Sequence, residues 1–183
     1  MTDKKTEYAL LAANSYAVKD SVTSLTNTIA IPDGWVKLND RIDDPTGFTA
    51  RAYRNTLTGE IAIAYTGTTF EGAVNNVGDW LLGNLTAGSG AVLALQVIDA
   101  AKFYLDVLQS NPGANITFTG HSLGGGLASL MAVYFNRQAV VFDEAPFKKS
   151  ADSAIVVNGL KLALECHWGQ RRNLFERQAH AVM

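Results

Sequence analysis

The chain has 183 residues, of which 48% are hydrophobic and 17% are charged, so it has the material for one globular core and no length for a second domain. Its net charge of -2 gives no electrostatic reason to expect a nucleic-acid partner, and a single cysteine excludes an internal disulfide. No run reaches the roughly 18 apolar residues of a membrane span, and the first residues lack the apolar core of a signal peptide.

The N-terminal third predicts one helix and three strands. Apolar residues at helical spacing indicate an amphipathic helix from Thr6 to Val18, which we interpret as plain packing on the domain. After turn-forming residues 31–34, a first strand is predicted at Trp35–Leu38. The segments Phe48–Arg54 and Glu60–Thr66 alternate apolar with other residues, and the glycine-containing loop between them predicts a hairpin.

The third strand runs into the turn Gly67-Thr68-Thr69. A turn at the carboxyl end of a neighbouring strand usually supplies the second oxyanion donor of a serine hydrolase. Thr68 offers a backbone N–H and a hydroxyl for this role, although an ordinary strand-ending turn would look the same. Between Phe70 and Gly90, glycines alternate with Trp80 and leucines, which suits either a flap over an apolar substrate or a short core helix.

The strongest helical pattern covers Ala91–Gln109, and Asn-Pro-Gly at 111–113 ends it. The polar residues expected outside its apolar stripe are Gln96, Asp99, Lys102 and Asp106. This helix connects Glu60–Thr66 with a strand at Ile116–Thr119, and a right-handed crossover would make the two strands parallel. The loops that follow them would then meet at one edge of the sheet.

A nucleophile elbow is predicted at residues 120–125, Gly-His-Ser-Leu-Gly-Gly, which lie between the second of these strands and the apolar segment Leu127–Phe135. In such an elbow Ser122 stands above the sheet edge, and glycines two residues to either side avoid a collision between backbone segments. The N–H of Leu123, at the start of the helix, would face an oxyanion formed by attack of Ser122. The alternative is a plain glycine-rich turn with a solvated serine.

These motifs resemble the class 3 (fungal-type) lipases of the α/β-hydrolase superfamily. The resemblance covers residues 48–146 and rests on Tyr-Thr-Gly-Thr at 65–68, the pair Asp79-Trp80 and the elbow. One departure is Thr66, because class 3 lipases usually carry arginine there.

The resemblance implies an α/β-hydrolase-type fold, with a mainly parallel sheet, an antiparallel N-terminal hairpin and flanking helices. It implies a single domain over residues 1–183 with a hydrolase-like core at about 35–146. In that family the residues that match Thr68 and Leu123 form the oxyanion hole, and the segment near Trp80 belongs to the lid region.

A complete triad is harder to assign. A serine needs an imidazole to accept its proton and a carboxylate to orient that imidazole, in the order Ser, acid, His. Asp143 follows a predicted strand, Ala139–Phe142, and is a candidate acid, although this turn is structural in the class 3 pattern. His167 is the candidate base and His180 a second one, and either can be an ordinary surface histidine. His121 points away from the serine in this turn geometry.

The predicted function is a lipase-type serine hydrolase that cleaves carboxylic esters of lipids or small esters through an acyl-enzyme on Ser122. It needs neither a metal nor a cofactor, and it leaves room for transient contact with a lipid interface. Because only 61 residues follow Ser122 and the tail predicts no further strand, we expect a hydrolase domain that is incomplete at its C-terminus or part of a larger protein. Without a signal peptide, the chain is expected in the cytoplasm or is exported by a leaderless route. The alternatives are a non-catalytic module that lacks a full triad, and a peptidase or thioesterase on the same scaffold.

Overall fold

The computed structural model describes residues 3–16, 29–43, 47–67, 87–145 and 157–165. The helices and strands are, in chain order, α1 (Lys4–Asn14), β1 (Trp35–Asp43), β2 (Phe48–Asn55), β3 (Ile61–Tyr65), α2 (Ala87–Ser110), β4 (Ile116–His121), α3 (Leu123–Phe135) and β5 (Gln138–Phe142). Residues 157–165 are also helical.

The five strands form one mixed sheet in the order β1-β2-β3-β4-β5. β2 is antiparallel to both β1 and β3, whereas β3, β4 and β5 run parallel. Tyr65 at the end of β3 lies opposite Gly120 near the end of β4. The predicted fold class is therefore confirmed, and the carboxyl ends of β3 and β4 lie side by side as the crossover argument requires.

Both faces of the central sheet are covered, which explains why β3 is an unbroken apolar run. All five residues of β3 are buried, as expected for a strand covered by packing elements on both sides. On the face covered by α2 and α3, the ring of Phe118 lies 5.8 Å from that of Tyr65 and 5.2 Å from that of Tyr104 between centroids. On the other face, Tyr8 and Leu11 of α1 pack against the sheet.

α1 ends earlier than the sequence pattern predicted. The helix stops at Asn14 rather than at Val18, and the Ser15 hydroxyl donates a hydrogen bond to the Ala12 carbonyl oxygen at 2.7 Å. A serine that bonds to nearby backbone favours a helix end over a helix interior. Asn14 is itself buried, and its side-chain oxygen accepts a hydrogen bond from the Tyr53 hydroxyl at 2.6 Å.

Two further expectations are corrected by long-range contacts. Gln96 and Asp99 were expected outside the apolar stripe of α2, yet they are only 2% and 7% exposed. Asp99 is buried because Arg41 of β1 reaches it, with Nη2 and Oδ1 2.9 Å apart. β1 itself continues past the predicted Leu38 to Asp43, because its polar second half pairs with β2 again after a register shift between Lys37 and Asn39.

Candidate active site

Ser122 occupies the turn between β4 and α3, and its backbone is strained. Its φ of 55° and ψ of -125° are a combination that residues with a side chain rarely adopt. The side chain makes no capping hydrogen bond to the helix that follows, and it is partly exposed. The hydroxyl therefore stands at the carboxyl edge of the sheet and does not cap the N-terminus of the helix.

The two glycines that flank the serine are required by contacts between backbone segments. A β-carbon on Gly120 would lie 2.4 Å from the carbonyl carbon and oxygen of Gly124. One on Gly124 would lie 2.1 Å from the carbonyl oxygen of Tyr65, at the end of β3. The chain thus folds back on itself at Ser122, and the first turn of α3 packs directly on the neighbouring strand.

The end of β5 holds the elbow from the other side. The Ser122 N–H donates to the carbonyl oxygen of Phe142 at 3.2 Å, and the Ser122 carbonyl oxygen accepts from the Ala145 N–H at 2.9 Å. Asp143, the candidate acid, lies between these two contacts, is exposed and has a φ of 44°. The turn that carries Asp143 therefore braces the backbone of the elbow.

The two candidate oxyanion donors come directly after Ser122 and Gly67 in the chain. Leu123 is the first residue of α3, so its N–H has no acceptor within the helix. Thr68 lies outside the described residues, but Gly67 before it is buried at the end of β3. A β-carbon on Gly67 would lie 3.6 Å from the carbonyl oxygen of His121, so this turn approaches the elbow closely.

A residue that the sequence analysis assigned to packing joins these two segments. The hydroxyl of Tyr16 accepts a hydrogen bond from the Gly67 N–H at 2.9 Å and donates one to the His121 carbonyl oxygen at 3.0 Å. Burial raises the pKa of Tyr16, and the bond from Gly67 opposes this more weakly. The hydroxyl thus keeps its proton and can donate it. The only sequence signal was a tyrosine at the end of a helical pattern.

Thr66, the departure from the class 3 pattern, faces the same segment. Its side-chain hydroxyl donates to the Ser15 carbonyl oxygen at 3.0 Å, and its N–H donates to the Thr49 carbonyl oxygen at 2.9 Å. Thr66 is 3% exposed. The threonine thus holds Ser15, the first residue after α1, against the end of β3.

Of the other histidines and the tryptophan singled out in the sequence, His121 lies in the described part of the chain. His121 is exposed and its ring lies edge-on to that of Tyr16, with centroids 6.3 Å apart. His167, His180 and Trp80 with most of the predicted flap lie outside the described residues. Within the described ranges no helix is suited to crossing a membrane. The same ranges contain no cluster of three or more metal-ligating side chains.

Comparison with known proteins gives one family match and several structural matches. A family model described as phospholipase-like, Tle-like phospholipase domain, matches residues 7–155. The chain is similar to the Lip2 lipase from Yarrowia lipolytica, with 17% identity and a TM-score of 0.57 over 78% of this chain and 61% of that one. It is also similar to a lipase from Rhizopus microsporus var. chinensis, with 20% identity and a TM-score of 0.51 over 76% of this chain and 55% of that one. The chain therefore spans less than two thirds of the length of these lipases, and at such identities the likeness shows a shared fold.

Proposed function

Because this chain belongs to the Tle-like phospholipase domain family, which confirms the predicted lipase-type family, we propose that it is a serine hydrolase that cleaves carboxylic esters of lipids. The proposal rests above all on the strained backbone of Ser122 at the carboxyl edge of the sheet. Strained residues concentrate at functional sites, where the surrounding structure compensates for their cost. Here the close backbone contacts of Gly120 and Gly124, with the hydrogen bonds from β5, supply that support.

In the proposed reaction, the Ser122 oxygen attacks the acyl carbonyl carbon while a general base takes the hydroxyl proton. The resulting oxyanion accepts hydrogen bonds from the N–H groups of Leu123 and Thr68. The carbon–oxygen bond of the ester then breaks, and the leaving alcohol takes the proton from the base. Water, deprotonated by the same base, releases the acyl group and restores the serine. Each oxyanion donor is expected to contribute about 10²-fold or more to the rate.

The acid and the base of this scheme remain proposals from the sequence. We assign Asp143 as the acid because it follows β5, the strand next to the elbow, at the same edge of the sheet. His167 is the proposed base, with His180 as the competing residue. The family description adds phospholipids to the lipid esters that are worth testing as substrates.

The central test is the replacement of Ser122 by alanine. Ser122→Ala should abolish covalent labelling by a fluorophosphonate and lower hydrolysis of a short-chain chromogenic ester by about 10⁴-fold or more, because the nucleophile is lost. Ser129→Ala is a matched control, since Ser129 lies on the same helix and its hydroxyl binds Glu144 instead. This control should retain labelling and turnover. Folded wild-type protein that takes no label would contradict the proposal.

The same assay identifies the proton-transfer residues. If His167 is the base, His167→Ala should be as inactive as Ser122→Ala, while His180→Ala should keep its activity. Asp143→Asn should lower turnover strongly if Asp143 orients the base, and only slightly if its turn merely supports the elbow. A chain that folds but hydrolyses no ester, phospholipids included, would match the alternative of a module without a complete triad.

A further inference from the structure

The end of α1 lies at the candidate active site, although the sequence suggested only a packing role for this helix. Three hydrogen bonds converge on the two residues that follow it. Thr66 donates its hydroxyl proton to the Ser15 carbonyl oxygen, Gly67 donates its N–H to the Tyr16 hydroxyl, and that hydroxyl donates to the His121 carbonyl oxygen. The residues after α1 are thus bound to the ends of both β3 and β4.

The Tyr16 hydroxyl is the direct link between the two strand ends. One of its partners, Gly67, immediately precedes the proposed oxyanion donor Thr68, and the other, His121, immediately precedes the proposed nucleophile Ser122. A hydroxyl that accepts on one side and donates on the other sets the distance between these two backbone segments. The distance between a nucleophile and an oxyanion donor must hold to well within 1 Å for efficient catalysis.

The contact leaves little freedom at either end. A β-carbon on Gly67 would lie 2.6 Å from the Tyr16 hydroxyl oxygen. The tyrosine can therefore approach the strand end this closely only because residue 67 is a glycine. Gly67 is buried, and its N–H would lose its partner if the hydroxyl were removed. The backbone just before the tyrosine is also held in place, because the Thr66 hydroxyl donates a hydrogen bond to the Ser15 carbonyl oxygen.

We propose that Tyr16 is a positioning residue that sets the separation between the Gly67 turn and the Ser122 elbow. The inference rests on the proposed function, since it assigns to this separation a role in the oxyanion hole. It assigns this role to Tyr16 alone, which follows α1 and bonds to the ends of β3 and β4. Tyr16 is not proposed to touch the substrate.

The first arm of the test measures catalysis. Tyr16→Phe removes only the hydroxyl and should lower kcat for a chromogenic ester about 10-fold, with KM changed less than about 2-fold, because the oxyanion donors are misplaced and the acyl pocket is not. Tyr8→Phe is the matched control. It also removes a hydroxyl hydrogen bond, to Glu60 at 2.7 Å, but at the opposite end of β3. The control should lose stability to a similar extent and keep its kcat.

The second arm needs no activity. In amide hydrogen-exchange and NMR spectra, Tyr16→Phe should exchange the Gly67 amide about 10-fold faster and shift the amide resonances of Ser122 and Leu123. Tyr8→Phe should leave these three amides unchanged. Elbow amides that do not respond to Tyr16→Phe would overturn the inference, as would equal kcat values in an active wild type and Tyr16→Phe. An inactive wild type whose elbow amides do respond would contradict the proposed function and leave the positioning role in place.

Discussion

Three non-glycine residues in the described part of the chain have positive φ, namely Ser122, Asn136 and Asp143. Asn136 ends α3 in the left-handed conformation that asparagine commonly adopts at helix ends. Asp143 is also of a residue type that tolerates positive φ, whereas Ser122 is not. Both lie at the carboxyl edge of the sheet, joined through the hydrogen bonds between the elbow and the end of β5. The strained residue among the three, Ser122, is therefore the proposed nucleophile.

Gly124 and Gly125 are neighbours in the first turn of α3 and have different surroundings. A β-carbon on Gly124 would lie 2.1 Å from the Tyr65 carbonyl oxygen, in the middle of the sheet. One on Gly125 would lie 3.0 Å from the β-carbon of Glu144 and 3.2 Å from the Gly120 carbonyl oxygen, which are much milder contacts. Because both replacements by alanine bring a similar gain in helix propensity, the pair isolates the effect of the collision.

We expect Gly124→Ala to lower the free energy of unfolding by about 2 kcal/mol more than Gly125→Ala, because its β-carbon would overlap backbone of β3 at 2.1 Å, whereas the nearest contacts of the other are at 3.0–3.2 Å. Urea unfolding of the two variants measures the difference. Equal stabilities would mean that α3 can shift away from β3 at little cost. Gly124→Ala should also reduce fluorophosphonate labelling, since such a shift moves the elbow.

At the scale of elements, α1 is held to the sheet by a small apolar contact, and a polar cap lies at its start. Leu11 and Tyr8 are fully buried against the face of the sheet that α1 covers. At the start of α1, the Asp3 side chain accepts hydrogen bonds from the Thr6 hydroxyl and, with a smaller effect, from the Thr6 N–H, and these bonds lower the pKa of Asp3. At its end, the helix leads into the Tyr16 contact. The apolar contact thus anchors the helix from which Tyr16 extends to the candidate active site.

Leu11→Ala should lower the free energy of unfolding by about 2–4 kcal/mol, because the Leu11 side chain is fully buried and its removal leaves a cavity. Leu57→Ala is the matched control, since Leu57 is 88% exposed in the turn between β2 and β3 and should change stability little. Urea unfolding again gives both values. A loss in Leu11→Ala as small as in the control would show that α1 contributes little to the fold.

At the scale of the whole molecule, buried tyrosines connect the layers and make the fold sensitive to alkaline pH. Four of the six tyrosines, Tyr8, Tyr16, Tyr53 and Tyr65, have a raised pKa, and in each case burial is the largest cause. For Tyr53 the pKa rises from 10.0 to about 12. Folding therefore favours the protonated hydroxyls.

The free energy of unfolding should fall as the pH rises above 10.0, because the unfolded chain releases these protons more readily than the folded one. The contribution of a raised pKa is complete below the unfolded value and is lost as the pH passes the folded value, which for Tyr53 means between 10.0 and about 12. Each such tyrosine adds at most about 1.4 kcal/mol per pH unit. Urea midpoints across this range, with tyrosinate absorbance, measure the effect. Tyr53→Phe should show a shallower fall of the urea midpoint with pH. A folded protein in which all tyrosines ionise with the ordinary pKa of 10.0 would contradict this prediction.

Local patterns predicted most elements because their causes are local. Alternation of apolar residues identified β2 and β3, and helical spacing identified α2 within four residues of its start. The end of α1 was misplaced for a local reason, the Ser15 hydrogen bond, but the errors in α2 and β1 came from distant partners. Arg41 of β1 allows Asp99 to be buried in α2, and pairing with β2 extends β1 through a polar segment. Neither partner could be deduced from the composition of the element itself.

The amino-acid sequence by itself determined the strand, the sharp turn and the helix around Ser122, because glycine spacing and a β-branched strand act over a few residues. Only the tertiary structure decided what supports that turn. Tyr16 binds Gly67 and His121 across 51 and 105 positions of the chain. The physical reason is that a single hydroxyl produces no periodicity, and its hydrogen bonds exist only once the sheet has brought the ends of β3 and β4 together.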